Sequence, residues 1–168
     1  MFILRSIKFW LQRRLRGWDD SETWSLDYFY CEYLRDKLRN KIDWIQDGYG
    51  CSYDSANKTI EFLSLLERYI IQDSIVETKE QLENYRLIQN NLLDCLLDPL
   101  FFSDQEIKFL IPRLKRYCTL AKEIIDPGEQ YWKDLDILIE TLEKKLNNEP
   151  YKEENLKLFT KHFFSLWW

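Results

Sequence analysis

Glycine and proline are scarce in this chain, and that scarcity favours long, regular segments. The 168 residues include four glycines and four prolines, so few positions supply the positive φ angles or missing N–H groups that end a helix. Between those positions, apolar residues recur at three- and four-residue spacing, and no segment shows the alternation of a half-buried strand. We therefore predict an all-α fold: a single multi-helix domain of about seven helices over residues 1–168.

Capping signals predict where several of these helices begin. Asp19 with Glu22, and Ser103 with Glu106, have the three-residue spacing of a capping box. The first helix is expected over residues 2–16. Similar punctuation predicts later helices over about 20–46, 55–76, 78–97, 103–125 and 130–146, and one from about 156 to the C-terminus. The inner face of the third helix is predicted to hold Ile60, Leu63, Leu66, Ile70 and Ile71.

A faint internal similarity relates two parts of the chain. Residues 20–70 and 103–146 each contain a capped helix, a glycine-containing loop and an apolar helix. One interpretation is that the fold consists of two duplicated helical hairpins. The other is that two unrelated hairpins obey the same capping rules.

Charge is distributed unevenly along the chain. The net charge is −5, yet residues 1–16 contain five basic side chains and no acid, so the other 19 of the 24 basic residues accompany all 29 acidic ones. An acidic body repels phosphate backbones. Nucleic acid is therefore not the partner that we expect for the body of the protein.

The basic first helix, residues 1–16, has three interpretations. We favour docking onto the acidic body, with Ile3, Ile7, Trp10 and Leu11 packed against the later helices. Alternatively, the helix lies on an anionic membrane surface, which basic amphipathic helices bind. A third interpretation is contact with nucleic acid or with an acidic groove of a partner.

The cysteines and the single histidine do not form a metal-binding or catalytic pattern. None of the cysteines has the C-x-x-C spacing of a zinc site, and only His162 could act as a base beside a nucleophile. We expect four reduced thiols, no metal, no cofactor and no catalytic residues. The cysteines are Cys31, Cys51, Cys95 and Cys118.

Spaced glutamates provide an enzymatic alternative. Glu77, Glu80 and Glu83, and also Glu140 and Glu143, are similar in spacing to the Mg²⁺-binding E-x-x-E motifs of all-α nucleotide pyrophosphohydrolases of the MazG type. Such spacings arise easily among 29 acidic residues, and lysines three or four positions away explain them as solvated ion pairs. A Mg²⁺-dependent nucleotide pyrophosphohydrolase is therefore the alternative and not the preferred function.

Three segments carry a resemblance to small helical proteins encoded by bacteriophages. Residues 17–28, GWDDSETWSLDY, resemble their Gly-aromatic-Asp-Asp and Trp-x-Leu-Asp motif. Residues 111–117 and 163–167 are similar to their Pro-Arg-Leu-Lys-Arg-aromatic piece and their Phe-rich C-terminal helix. In that family the Pro-Arg-Leu piece shares a helix with Trp-x-Leu-Asp, whereas here it belongs to the fifth predicted helix. The resemblance implies a viral origin and brings no activity with it.

Polar residues interrupt an apolar face of the second predicted helix. At 100° per residue, Asp20, Asp27 and Arg35 lie on the same face as Trp24. Burying a carboxylate is costly unless it is paired or hydrogen-bonded. The simpler interpretation is that Asp27 is buried and hydrogen-bonded and that these groups determine helix packing. The functional interpretation is a polar binding pocket with Trp24 as its stacking wall.

The C-terminal Trp167 and Trp168 form a second candidate surface, because a terminal tryptophan is difficult to bury fully. Together with the viral resemblance, these features predict a phage accessory protein in the host cytoplasm. It would bind a host protein or a small signalling nucleotide, in a host-interaction or anti-defence role, without catalysis. A membrane-surface adapter acting through residues 1–16 is a further alternative.

Overall fold

In a computed structural model, described over residues 2–46, 53–71, 79–97 and 103–166, the chain is helical and these residues contain no strand. This confirms the all-α prediction. None of the helices in those ranges is long and apolar enough to cross a membrane. The helices are α1 (Phe2–Arg16), α2 (Leu26–Gln46), α3 (Tyr53–Ile71), α4 (Lys79–Leu97), α5 (Asp104–Ala121), α6 (Glu129–Leu146) and α7 (Lys157–His162).

The contacts within the chain divide it into two compact units. The terminal unit combines residues 1–27 with residues 95–168, and the middle unit contains residues 28–94. The prediction of a single domain over residues 1–168 did not anticipate this division. The possibility of duplicated hairpins stays a prediction.

The terminal unit is built around the packing of α5 against α6, with α7 against α6. Apolar residues at three- and four-residue spacing give both long helices one buried face, as their periodicity predicts. Residues that are almost completely buried there are Leu26, Ile107, Leu110, Leu114, Tyr117, Leu135, Leu138, Phe159, Phe163 and Leu166.

The C-terminal helix is shorter than predicted, because α7 is followed by a 3-10 turn instead of continuing. The carbonyl oxygen of Ser165 accepts hydrogen bonds from the hydroxyl groups of Tyr117 (3.0 Å) and Tyr131 (2.9 Å). The Leu166 carbonyl accepts one from the backbone N–H of Leu26 (2.8 Å). Carbonyls at a helix end lack partners within the helix. Here groups from other elements supply those partners and hold the segment in place.

In the middle unit, the predicted inner face of α3 is partly wrong. Ile60 and Ile71 are exposed, whereas Thr59, Phe62 and Leu65 are buried. Large apolar residues occur on both sides of this helix, so the 3.6-residue period alone could not decide which side faces the core.

The start of α5 confirms the predicted capping box. The Ser103 hydroxyl oxygen accepts a hydrogen bond from the N–H of Gln105 (3.4 Å). The buried Glu106 carboxylate in turn accepts hydrogen bonds from the Ser103 N–H (2.7 Å) and from its hydroxyl group (2.6 Å). These contacts satisfy N–H groups that a helix leaves without internal partners.

We expect Ser103→Ala to lower the free energy of unfolding by about 1 kcal/mol, because it removes the N-cap oxygen. Ser103→Thr is the control, since it keeps a hydroxyl group. Urea denaturation of both variants measures the difference. Equal stability of the alanine and threonine variants would contradict the role of the cap.

Candidate functional site

The segment between α1 and α2 turns the chain back onto α1. Gly17 has φ = +80°, which favours glycine, and its N–H donates to the Arg13 carbonyl (3.0 Å) to end the helix. Asp19 then caps the turn through the Ser21 N–H (2.7 Å), and Glu22 completes the capping box. The capping signal is confirmed, but it starts a 3-10 turn over Asp20–Thr23 and not α2 itself.

Asp20 is the buried centre of an ionic network, with 2% of the residue exposed. Its Oδ1 accepts from Arg16 (2.6 Å) and from Nε of Arg116 (2.8 Å). Its Oδ2 accepts from Nη2 of Arg116 (2.8 Å) and from Gln12 (2.9 Å), and it lies 2.9 Å from Nζ of Lys8. The Asp20 N–H also donates to Gln12 (3.0 Å). One carboxylate therefore joins α1, the 3-10 turn and α5.

These contacts keep the Asp20 carboxyl ionised. The bidentate Arg116 guanidinium holds its pKa well below the usual range, with further lowering from Gln12, Lys8 and Arg16, although burial acts in the opposite direction. A carboxylate with this many donors is a structural cross-link at neutral pH, and it has no proton to give.

A second ion pair reinforces the same junction. Arg113 of α5 contacts Oε2 of Glu22 at 2.7 Å and 3.1 Å. Its guanidinium lies 3.7 Å from the ring centroid of Phe109 and 4.9 Å from that of Trp18, and Arg16 lies 3.8 Å from the Trp18 ring. Such cation–π contacts are attractive. They hold the buried Trp18 against both α1 and α5.

Trp24 is half-buried under side chains of α1. Its ring meets Phe9 edge-on, with 5.7 Å between centroids, and the Arg5 guanidinium lies 4.2 Å from its centroid. A face that we predicted as a stacking wall for a ligand is thus in contact with this protein's own arginine.

Asp27 is buried, as predicted, with 5% of the residue exposed. Tyr117 and Tyr131 have raised pKa values, and the Asp27 carboxylate is a minor contributor to both. Burial is the main cause that raises the pKa of Tyr117 to about 12 and that of Tyr131 further. Both phenols therefore stay protonated at neutral pH and can donate to the Ser165 carbonyl.

Arg35 belongs to the middle unit and has acidic partners of its own. Its Nε lies 2.8 Å from Asp36, and its Nη1 lies 3.9 Å from Glu32. The cations that contact Asp20 come from α1 and α5 instead. The prediction placed Asp20 and Arg35 on one helical face, but Asp20 precedes the start of α2, so the 100° periodicity does not extend to it.

Helix α1 docks in the orientation opposite to the one predicted. The side chains that contact the rest of the terminal unit are Arg5, Lys8, Phe9, Gln12 and Arg16. The predicted packing of Ile7, Trp10 and Leu11 is wrong, and the side chain of Ile3, the fourth residue of that prediction, lies outside the described residues. Ile7, Trp10, Leu11 and Leu15 are exposed and together form what we call the outward face of α1.

The three segments that carry the phage resemblance contact one another. Arg116 and Arg113 of the second segment bind Asp20 and Glu22 of the first. Tyr117 of the second segment bonds to the backbone of the third. Sequence reasoning missed both arginines as partners of the acidic turn, because nearly a hundred residues separate them. The predicted resemblance singled out both segments but did not indicate that they contact each other.

The glutamates of the hydrolase alternative are paired where they are described. Glu140 contacts Lys144 at 2.5 Å, and Glu143 contacts Lys115 at 2.5 Å. Within the described ranges, no group of three or more His, Cys, Asp or Glu side chains is arranged to hold a metal ion.

His162 packs beside the carboxylate of Asp134 and the ring of Tyr131. Its Nε2 lies 2.7 Å from Asp134, which also accepts from Lys161 (2.6 Å) and Gln130 (2.7 Å), and its ring meets Tyr131 edge-on. These contacts, with Lys161 first, hold the pKa of the Asp134 carboxyl below its usual range. The histidine is thus a packing residue in this arrangement.

The remaining candidates are described only in part. Glu83 pairs with Arg86 at 3.6 Å, and Cys31 and Cys118 are free and buried. The side chains that lie outside the described residues are those of Glu77, Glu80, Cys51, Cys95, Trp167 and Trp168.

Comparison with protein-family models, with curated proteins and with solved structures finds no match to the chain.

We expect Asp20→Asn to lower the free energy of unfolding by about 1.5–3 kcal/mol, because it removes the buried charge that three partly exposed cations share. Asp136→Asn is the matched control. Asp136 is exposed and lies 3.9 Å from Lys122. The loss of its charge should therefore lower the free energy of unfolding by less than about 1 kcal/mol. Urea denaturation at neutral pH compares the two. Similar losses would show that the network contributes no special stability.

Acid should weaken the terminal unit through the same group. The folded pKa of Asp20 is depressed, so its contribution is fully present above the unfolded value of about 3.9 and is lost as pH falls below that. We expect the free energy of unfolding to fall from about pH 5 downward, and to fall less steeply in Asp20→Asn. Identical slopes in the two proteins would contradict this.

Proposed function

We propose that this chain is a bacteriophage accessory protein that acts by binding a host component, without catalysis, and that the outward face of α1 is its binding surface. One observation carries the proposal. Trp10 is 59% exposed and Leu15 is 84% exposed, beside the exposed Ile7 and Leu11. Contiguous apolar side chains of this kind mark interaction surfaces.

The orientation of α1 strengthens this inference. An ordinary surface helix buries its apolar stripe and exposes its charges. Helix α1 instead exposes Ile7, Trp10, Leu11 and Leu15, because Lys8, Gln12 and Arg16 on its other side bind the buried Asp20. The ionic network thus holds the helix in place while the outward face of α1 stays exposed, and a partner can contact that face.

The same network argues for a large partner over a small nucleotide. A nucleotide phosphate needs unoccupied donors, and a base needs an open aromatic face. Two of the predicted binding residues are occupied by groups of this protein: Asp20 binds Arg16 and Arg116, and Trp24 lies under Arg5. The viral origin that the resemblance implies supports a host component as the partner. No observation on the described glutamates favours the hydrolase alternative.

A capture experiment with matched variants tests the proposal. The tagged wild-type protein, a Trp10→Ser/Leu15→Ser variant and a control Ile124→Ser/Ile137→Ser variant are recovered from infected bacterial cells, with their soluble and membrane fractions kept separate. Ile124 and Ile137 are also exposed apolar residues. We expect the wild type and the control to retain the same host component and the α1 variant to lose it.

Circular dichroism and urea denaturation establish that all three proteins fold alike. Because both replaced α1 residues are exposed, we expect little change in stability. Retention of the same component by the α1 variant at wild-type level would remove the outward face of α1 as the binding surface.

A further inference from the structure

We infer that the outward face of α1 binds the surface of an anionic lipid bilayer, with the helix lying in the plane of the interface. This inference rests on the proposed function, because it assigns a partner to the same face. Exposed apolar side chains together with basic ones are the features by which helices of this kind insert shallowly.

The charge around α1 is complementary to such a surface. Residues 2–25 with Arg113 and Arg116 contain seven basic and three acidic side chains. The remaining chain has 17 of the 24 basic residues and 26 of the 29 acidic ones. An anionic bilayer therefore attracts the neighbourhood of α1 and repels most of the rest. Arg5, Lys8, Arg13 and Arg14 all remain exposed in α1.

The dimensions of α1 fit an interfacial position. Its 15 residues correspond to about 22 Å of helix, which is shorter than the hydrocarbon core of a bilayer. The exposed apolar residues lie on one side of the helix axis, and Trp10 is of the type that is enriched at the level of lipid headgroups.

A second copy of this chain is a poorer occupant of the same face. Helix α1 contains five basic residues and no acid. Pairing two such helices would bring basic side chains of one copy close to basic side chains of the other. Like charges at close range oppose that contact, whereas lipid phosphates neutralise them.

Vesicle sedimentation with the purified full-length protein tests the inference. One set of vesicles is an equal mixture of phosphatidylglycerol and phosphatidylethanolamine, and the other is phosphatidylcholine alone. At low ionic strength we expect the wild type and Ile124→Ser/Ile137→Ser to sediment with the anionic vesicles only. We expect Trp10→Ser/Leu15→Ser to bind at least about tenfold more weakly.

A charge variant provides an independent arm. Arg14→Glu keeps the apolar residues and reverses one exposed charge. We expect it to bind the anionic vesicles more weakly than the wild type, with a difference that shrinks as salt is added. The inference is overturned if neither Trp10→Ser/Leu15→Ser nor Arg14→Glu binds the anionic vesicles more weakly than the wild type. It is also overturned if the wild type does not sediment with anionic vesicles at low salt.

The two proposals fail in different ways. In one outcome the wild-type protein does not bind anionic vesicles, but it captures a soluble host protein that the Trp10→Ser/Leu15→Ser variant does not capture. The lipid inference is then wrong and the proposed function stands. If the variant behaves like wild type in both experiments, both proposals fall. Concentration-dependent dimerisation that the same variant abolishes would assign the face to a second copy and overturn the lipid inference.

Discussion

The buried carboxylate of Asp20 is the contact on which the arrangement of the terminal unit depends. It binds Arg16 and Lys8 of α1 and Arg116 of α5, and each of these donors comes from a different turn of helix. A buried charge is strongly destabilising unless its partners are in place. Few orientations of α1 can satisfy that requirement. The network therefore determines which side of α1 faces inward, and the exposure of Trp10 is a consequence.

The helices themselves could be predicted because their signals are local. Ser103 and Glu106 are three residues apart, and Gly17 follows directly on α1, so capping rules locate both boundaries. The docking face of α1 could not be predicted in the same way. Apolar periodicity assigns Trp10 to the interior, whereas the observed orientation depends on Arg116, 96 residues from Asp20. A long-range ion pair outweighs a local apolar stripe here.

The candidate site shows the same division between local and distant causes. The sequence predicted that Asp27 is buried, because it lies on the apolar side of α2, and the structure confirms this. Grouping Asp20 with Arg35 required one helix to pass through both residues, but the 3-10 turn breaks that continuity. The predicted resemblance of two separated segments to phage proteins singled out the acidic turn and Arg116, but it did not predict that they contact each other.

The ion pairs that hold α1 involve different arginines from those that an anionic surface would contact. The cations that contact Asp20 are bound to a carboxylate of which 2% is exposed, although their own side chains are partly exposed. Partly buried pairs of this kind are screened by salt less than fully exposed ones. Arg14 is exposed and does not contact Asp20. A negatively charged surface can therefore engage the outer charges of α1 without withdrawing the inner ones, so that binding and the integrity of the terminal unit do not compete for the same arginines.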